Sequence, residues 1–192
     1  MITSHIIEGN GRDIWNKDLM KIYESSFPKN EKIPYKNIPE LINGAVFPTE
    51  YLAHEEAGGL YLGQGDLIGL SIVAEFEDFD CIWYLAVREI CRGKEYGKKI
   101  FQIIKHRSYD ASYKEKPLLI EIKSPFQHVC SDQEERVRRH KFFLEQGFKD
   151  TNIIHEHAGN QYLTLTSNDL PFNEEDYNSM LEILWKARSC KN

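Results

Sequence analysis

Apolar side chains recur along this chain with two periods. Between Asp13 and Ser26 they fall at Ile14, Trp15, Leu19, Ile22 and Tyr23, a spacing that lays one stripe along a helix, and Pro28 closes the segment. Tyr35 to Asn43 predicts a second short helix, with Pro39 at a kink or a new first turn. The period then changes. Leu60–Leu62 and Leu67–Glu75 are β-rich runs on either side of Gly63, Gln64, Gly65 and Asp66, which predicts a hairpin. The acidic stretch Glu77 to Asp80 turns the chain into Cys81–Val87, a continuous apolar run typical of a strand covered on both faces.

Beyond Val87 a glycine-containing loop leads into a helix that runs to about Ala111, with Ile100, Phe101, Ile103 and Ile104 as its apolar stripe. Leu118–Ile122 is the next strand, so the strand, helix and strand form a crossover whose two strands run parallel. Gln133 to Gln146 predicts a helix stopped by Gly147 at the position after its C-cap. Asn152–His157 and Gln161–Thr166 flank a hairpin turn at Ala158, Gly159 and Asn160. Asn173 caps a last helix reaching Trp185, with acidic residues in its first turn. The expected fold is a single α/β (α+β) domain over residues 1–192, a mixed central sheet of about six or seven strands with flanking helices.

Composition narrows the function. A chain of 192 residues buries roughly 70% of its unfolded surface, enough for one core without covalent staples. Hydrophobic residues at 41% and charged residues at 28% suit a soluble globular protein. No apolar run approaches membrane-spanning length, and the first residues lack the basic and apolar regions of a secretory signal. Cys81, Cys91, Cys130 and Cys190 are scattered without a paired motif, which reads as thiols in a reducing cytoplasm and neither a disulfide frame nor a metal site. A net charge of −6 argues against a nucleic-acid partner, and without a long apolar run no membrane partner is expected. Nothing in the sequence opposes a homodimer.

Charge is nonetheless concentrated in one place. Arg88, Arg92, Lys94, Lys98, Lys99, Lys105 and Arg107 face only Glu89 and Glu95 within twenty residues. The first half of this basic stretch, Arg92 to Gly97, lies between a buried strand and a helix start. Helix-start amides have no intrahelical acceptor, and the macrodipole adds partial positive charge there. Such a tip binds phosphate oxygens, and glycine lets the anion approach the main chain. The loop is neither a Walker loop, which needs Gly-Lys-Ser/Thr, nor a dinucleotide-binding GxGxxG.

Leu85, Ala86 and Val87 followed by Arg92, Gly93, Lys94, Glu95, Tyr96 and Gly97 resemble the acyl-CoA signature of the GCN5-related N-acetyltransferase (GNAT) superfamily, Arg/Gln-x-x-Gly-x-Gly/Ala after a strand. Arg139 to Phe148, ending in Gln146, Gly147 and Phe148, is similar to that family's second marker at a helix end, and the ordered set spans about residues 60–166. The resemblance implies a parallel pair of strands that splay apart, with the main chain of Leu85, Ala86 and Val87 pairing with the pantetheine arm of acetyl-CoA. It implies that Arg92, Gly93, Lys94, Glu95, Tyr96, Gly97 and Lys98 cradle the pyrophosphate. The implied activity is transfer of an acetyl group from acetyl-CoA, as cosubstrate and without a metal, to a primary amine on a small molecule or peptide.

Two positions depart from the pattern. Glu95 stands where the first glycine belongs, and Phe143 where many members carry a tyrosine that protonates the departing thiolate. Because a thiol has a pKa of roughly 8.5, thiolate leaves tolerably without an acid, and Tyr162 and Tyr84 are replacement donors. Glu121 is the one acid in an apolar strand. A carboxylate there can accept the amine's proton, directly or through water, or it can simply face solvent. Main-chain amides near Val87 are placed to stabilise an oxyanion. His155 and His157 share one strand face, the geometry of half a metal site and more simply of a surface pair. His128, Cys130 and Asp132 read as a polar loop, and Cys91 has no base beside it. The polar stretch Gln127–Glu135 is the place to expect acceptor contacts. The rival reading is a catalytically weak or inactive module that binds acyl-CoA as a regulatory ligand, and a third is a nucleotide-binding protein.

Overall fold

The computed structural model describes residues 17–29, 31–34, 54–61, 67–75, 79–107, 116–128 and 130–168, together with Tyr177, Asn178 and Leu181. In chain order the elements are α1 (Lys17–Ser26), β1 (His54–Tyr61), β2 (Leu67–Glu75), β3 (Asp80–Val87), a 3-10 turn at Glu89–Cys91, α2 (Tyr96–Arg107), β4 (Leu118–Lys123), α3 (Gln133–Glu145), β5 (Lys149–His157) and β6 (Asn160–Thr166). The six strands form one mixed sheet in the order β1-β2-β3-β4-β6-β5. Only β3 and β4 run parallel, as a crossover through α2 requires.

Within the described residues the expected elements are present, with shifted ends; the Gly63–Asp66 turn and any continuation of α2 to Ala111 lie outside those residues. β1 begins at His54, well before Leu60, because its pairing with β2 carries through Gly58 and Gly59. β5 begins at Lys149 instead of Asn152. Its polar first residues read as a loop, yet they lie on an edge strand where solvent accepts polar side chains, and a bulge between Asp150 and Ile154 absorbs Asn152 at φ 63°. Gly147 does end α3, with φ 92° and the amide of Phe148 bonded to the carbonyl of Phe143. Ala158 and Gly159, both at positive φ, make the two-residue turn between β5 and β6. The Tyr35–Asn43 helix, the start of the Asp13–Ser26 helix and most of the Asn173–Trp185 helix lie outside the described residues.

Alternation along β4 divides the core. Leu118, Ile120 and Ile122 join Ile82, Leu163 and Leu165 against Ile100, Phe101 and Ile104 of α2 and Phe143 and Phe148 around the end of α3. Leu119 points the other way, into a cluster with Cys81, Tyr177 and Leu181, flanked by Phe79, Trp83 and Ile153. Each fully buried Leu, Ile or Phe contributes about 1.5–3 kcal/mol by leaving water. On β3, Tyr84 meets the rings of Tyr23 and Phe27 edge-on at 4.9 Å, which docks α1 and its following turn. Helix α2 approaches β2 so closely at Gly69 that an added Cβ would sit 2.4 Å from the carbonyl oxygen of Ala86 and 2.8 Å from Cδ1 of Ile100.

Candidate active site

β3 and β4 are paired only at Asp80–Leu118, Cys81–Leu119 and Ile82–Ile120. Past that point both strands continue, β3 to Val87 and β4 to Lys123, without further pairing to each other. The point of separation coincides with a register shift against β2, where Ile72 opposes Tyr84 and Val73 opposes Ile82, leaving Trp83 as the extra residue. A bulge of this kind bends and twists its strand, and here it turns β3 away from β4. Arg88 donates its amide to Ile68 on β2. Because bonding direction alternates along a strand, the amides of Leu85 and Val87 face away from β2, towards the opening, whereas the main chain of Ala86 faces β2.

The chain leaves this free edge directly into the basic loop. Cys91 and Tyr96 are buried and anchor it, while Arg92, Gly93, Lys94, Glu95, Lys98 and Lys99 are exposed. Arg88 is turned towards β2, with Nη1 on the carbonyl of Leu67 (3.1 Å), and Arg92 Nε reaches back to the carbonyl of Val87 (3.2 Å). Gly93 has φ 74° and Glu95 φ 59°, both in the left-handed region that favours glycine. Glu95 therefore holds a glycine-type conformation at the place where the acyl-CoA signature carries glycine. Its carbonyl accepts the first helical bond, from Lys99, which leaves the amides of Tyr96, Gly97 and Lys98 as first-turn donors without a carbonyl one turn back. A Cβ on Gly97 would make only ordinary contact with the Phe142 ring, at 3.5 Å, so alanine fits there too.

Glu121 is the first β4 residue past the separation, and its side chain lies on the Leu119 face. Tyr177 Oη donates to Glu121 Oε1 at 2.5 Å, and His155 Nδ1 lies 3.2 Å from the same oxygen. Thr164, opposite Glu121 on β6, has Oγ1 2.5 Å from Tyr177 Oη. Since the phenol's one proton goes to Glu121, Thr164 is the donor in that second bond. Burial, with the negative charge of Glu121 next, holds Tyr177 well above the usual tyrosine range. Tyr162, in register with His155, stacks on its ring at 5.4 Å and 11°. The side chains of Glu121 and His155 are 12% and 17% exposed, shielded from bulk water and still within reach of a small molecule.

Residues 31–33 bridge the two arms of the opening on this face. Tyr84 of β3 donates to the carbonyl of Glu31 (2.9 Å) and accepts from the amide of Ile33 (3.2 Å). Lys123 of β4 pairs with the carboxylate of Glu31 at 2.7 Å and with Asp132 at 3.3 Å. Behind them Arg136, almost fully buried, bonds Asp132 Oδ1, Gln127 Oε1 and Asn160 Oδ1, each at 2.7 Å. Burial alone would raise the Asp132 carboxyl, but bonds from Arg136 and Lys123 outweigh it and hold the group below the ordinary carboxylate range.

Several sequence expectations change in this light. Tyr84 spends its hydroxyl on the bridge, one proton donated and one accepted. Much of the polar chemistry in Gln127–Glu135 is turned inward: Gln127 braces Arg136, Gly159 and Gln161, and Gln133 bonds the carbonyl of Pro125. Phe143 packs in the core against Phe142 and Phe148. His155 belongs with Glu121, a partner that lies 34 positions away and that only the pairing of β4, β6 and β5 brings near. Tyr177 lies within the last helix the sequence predicts, where nothing local marks it as a partner of Glu121. Among the described residues no group of three or more His, Cys, Asp or Glu side chains is gathered to hold a metal ion, and no helix is long and apolar enough to cross a membrane. Cys81, Cys91 and Cys130 are thiols.

No protein-family model matches the sequence, and no curated protein matches it. Solved structures do match in shape. A protein from Bacteroides thetaiotaomicron described as a GNAT-family acetyltransferase superposes with a TM-score of 0.67 at 16% identity, covering 97% of this chain and 99% of its own. An aminoglycoside 6′-N-acetyltransferase complexed with coenzyme A gives 0.59 at 13% identity, over 88% and 99% of the two chains. A spermidine N-acetyltransferase from Vibrio cholerae, in complex with CoA and spermine, gives 0.55 at 15% identity, over 86% and 94%.

Proposed function

We propose that this chain, whose fold is that of the GNAT acetyltransferases, is a single-domain N-acetyltransferase of that superfamily. It moves an acetyl group from acetyl-CoA to a primary amine. The observation that carries this reading is the separation of β3 from β4, which leaves the Leu85 and Val87 amides on a free edge that runs into an exposed, lysine-rich helix start. Pantetheine pairs with the main chain of Leu85 and Val87 as an added strand, while Ala86 lines the arm from the β2 side. The diphosphate rests on the loop of Arg92, Gly93, Lys94 and Glu95 and on the first-turn amides of Tyr96, Gly97 and Lys98, where dipole and lysine charge act together. This places the thioester beside Glu121.

The amine nitrogen attacks the thioester carbonyl carbon, a C–N bond forms, and the C–S bond breaks with its electron pair going to sulfur. The Val87 amide faces the developing oxyanion. Glu121 accepts the proton lost from nitrogen. The thiolate is protonated by Tyr162 or by water. Neighbours of the same fold described as spermidine and aminoglycoside acetyltransferases act on amines, and a net charge of −6 favours a cationic acceptor, a small amine or a lysine-bearing peptide, in the cytoplasm.

The test is to incubate the protein with acetyl-CoA and a panel of amines, following free thiol and the mass of the amine. Amine-dependent thiol release with a product heavier by one acetyl group is expected. Tight CoA binding with no amine-dependent release favours instead a regulatory acyl-CoA-binding module, the reading that Phe143 and Glu95 suggest. Thermal protection by ATP exceeding that by CoA would overturn both.

A further inference from the structure

We propose that His155 is a positioning residue of the transfer centre: with Tyr177 it clamps one oxygen of the Glu121 carboxylate, and its charge sets how strongly that carboxylate attracts a proton. The inference rests on the acyl-transfer reading above and assigns a role to a residue outside its signature motifs.

The strand order supplies the reason. From the opening outwards the sheet runs β4, β6, β5, so Glu121 borders the opening and His155 stands two strands behind it. His155 Nδ1 and Tyr177 Oη approach the same atom, Oε1, at 3.2 and 2.5 Å. The hydrogen bond from Tyr177 and the ion-pair contact of the imidazole bear on one oxygen and together hold the carboxylate. The amine's proton is then taken up by a carboxylate whose orientation is already set. The stacked ring of Tyr162 holds the imidazole from its other side, as outer contacts orient a ligating histidine at a metal site. A protonated imidazole opposes protonation of Glu121, and a neutral one permits it. Among the described residues, the titratable groups facing the ring are Glu121 on β4, Tyr162 on β6 and Tyr177 from the C-terminal segment. His157 lies two residues along the same strand, and Cys81 packs in one cluster with Tyr177.

The experiment compares wild type, His155→Ala, His155→Asn and Tyr177→Phe for kcat, KM, CoA affinity and melting temperature between pH 6 and 9. His155→Ala is expected to lower kcat by about 10- to 100-fold, the usual effect of removing an orienting contact, with CoA affinity within about twofold. His155→Asn, which keeps a polar side chain and loses the charge, should recover part of kcat and flatten the pH profile. Combining His155→Ala with Tyr177→Phe should cost less than the product of the single losses, since both side chains hold one oxygen. Unchanged kcat in His155→Ala overturns the proposal, and so does a loss in Ala and Asn alike that follows a fall in melting temperature. A second readout needs no substrate: the ¹⁵N NMR titration of His155 should move to lower pH in Glu121→Gln. If it moves while the wild type shows no amine-dependent thiol release, the acyl-transfer reading has failed and the pair stands. If it does not move, the pair itself is overturned.

Discussion

The hydroxyl of Tyr177 donates to Oε1 of Glu121 at 2.5 Å, joining β4 to a residue 56 positions further along the chain. Burial and the neighbouring negative charge keep that phenol protonated well above its usual range, so it remains a donor at any physiological pH. A carboxylate only 12% exposed, on the sheet face of Leu119, would by itself carry a substantial desolvation cost. Tyr177, Thr164 and His155 offset that cost and leave a charged group beside the only pair of described strands that part company.

Glu121→Gln should therefore separate chemistry from binding. The amide keeps shape and hydrogen bonding but cannot take a proton from the amine. Turnover should fall by roughly 100-fold or more, within the usual range for a lost general base, with CoA affinity nearly unchanged by calorimetry. Unaltered turnover across pH would remove Glu121 from the mechanism.

Stability in alkali should report on Tyr177. Its folded-state pKa is raised, so above the unfolded value near 10 the folded state binds more protons than the unfolded one. The contribution is complete below about pH 10 and is lost as the pH climbs towards the folded value. Tyr177→Phe should lower stability at pH 8 by about 1.5–3 kcal/mol, the worth of a hydrogen bond to a charged group, yet decline less steeply between pH 10 and 11. Parallel declines in urea unfolding would contradict the assignment.

Replacing Glu95 by glycine tests the phosphate loop. At φ 59° an L-residue carries about 1–2 kcal/mol of strain, which offsets most of the entropy that glycine loses on folding. Stability should change little. CoA affinity should rise by several-fold at low salt, because one carboxylate leaves the edge of an anion site, and the gain should shrink at high ionic strength. An effect insensitive to salt, or weaker binding, would show that the diphosphate lies elsewhere.

Gly69→Ala should disturb the seat of α2. The new methyl would meet main chain at 2.4 Å and the tip of Ile100 at 2.8 Å. Overpacking of this kind costs about 1–3 kcal/mol, so the melting temperature should drop by several degrees. Because α2 carries the first-turn amides of the loop, CoA binding should weaken as well. A wild-type melting temperature would mean that β2 and α2 yield more easily than their spacing implies.

The elements were legible because each is encoded by neighbours two to four positions apart. The period of Leu118–Ile122 marks a strand, Gly147 marks a helix end, and Ala158 with Gly159 marks a tight turn, whatever lies elsewhere in the chain. The basic loop was legible for the same reason, since a helix start and its charges are local. The left-handed conformation of Glu95 was hidden, because glutamate gives no sign of positive φ. Also hidden were the bulge at Trp83, which depends on register with β2, and the gathering of Glu121, Thr164, His155 and Tyr177, which depends on β6 lying between β4 and β5. Alternation along one strand says that a residue faces a side of the sheet. It cannot say which strand will be laid next to it, and at this site that placement turns one of two edge-strand histidines and a tyrosine from the C-terminal segment into partners of a carboxylate.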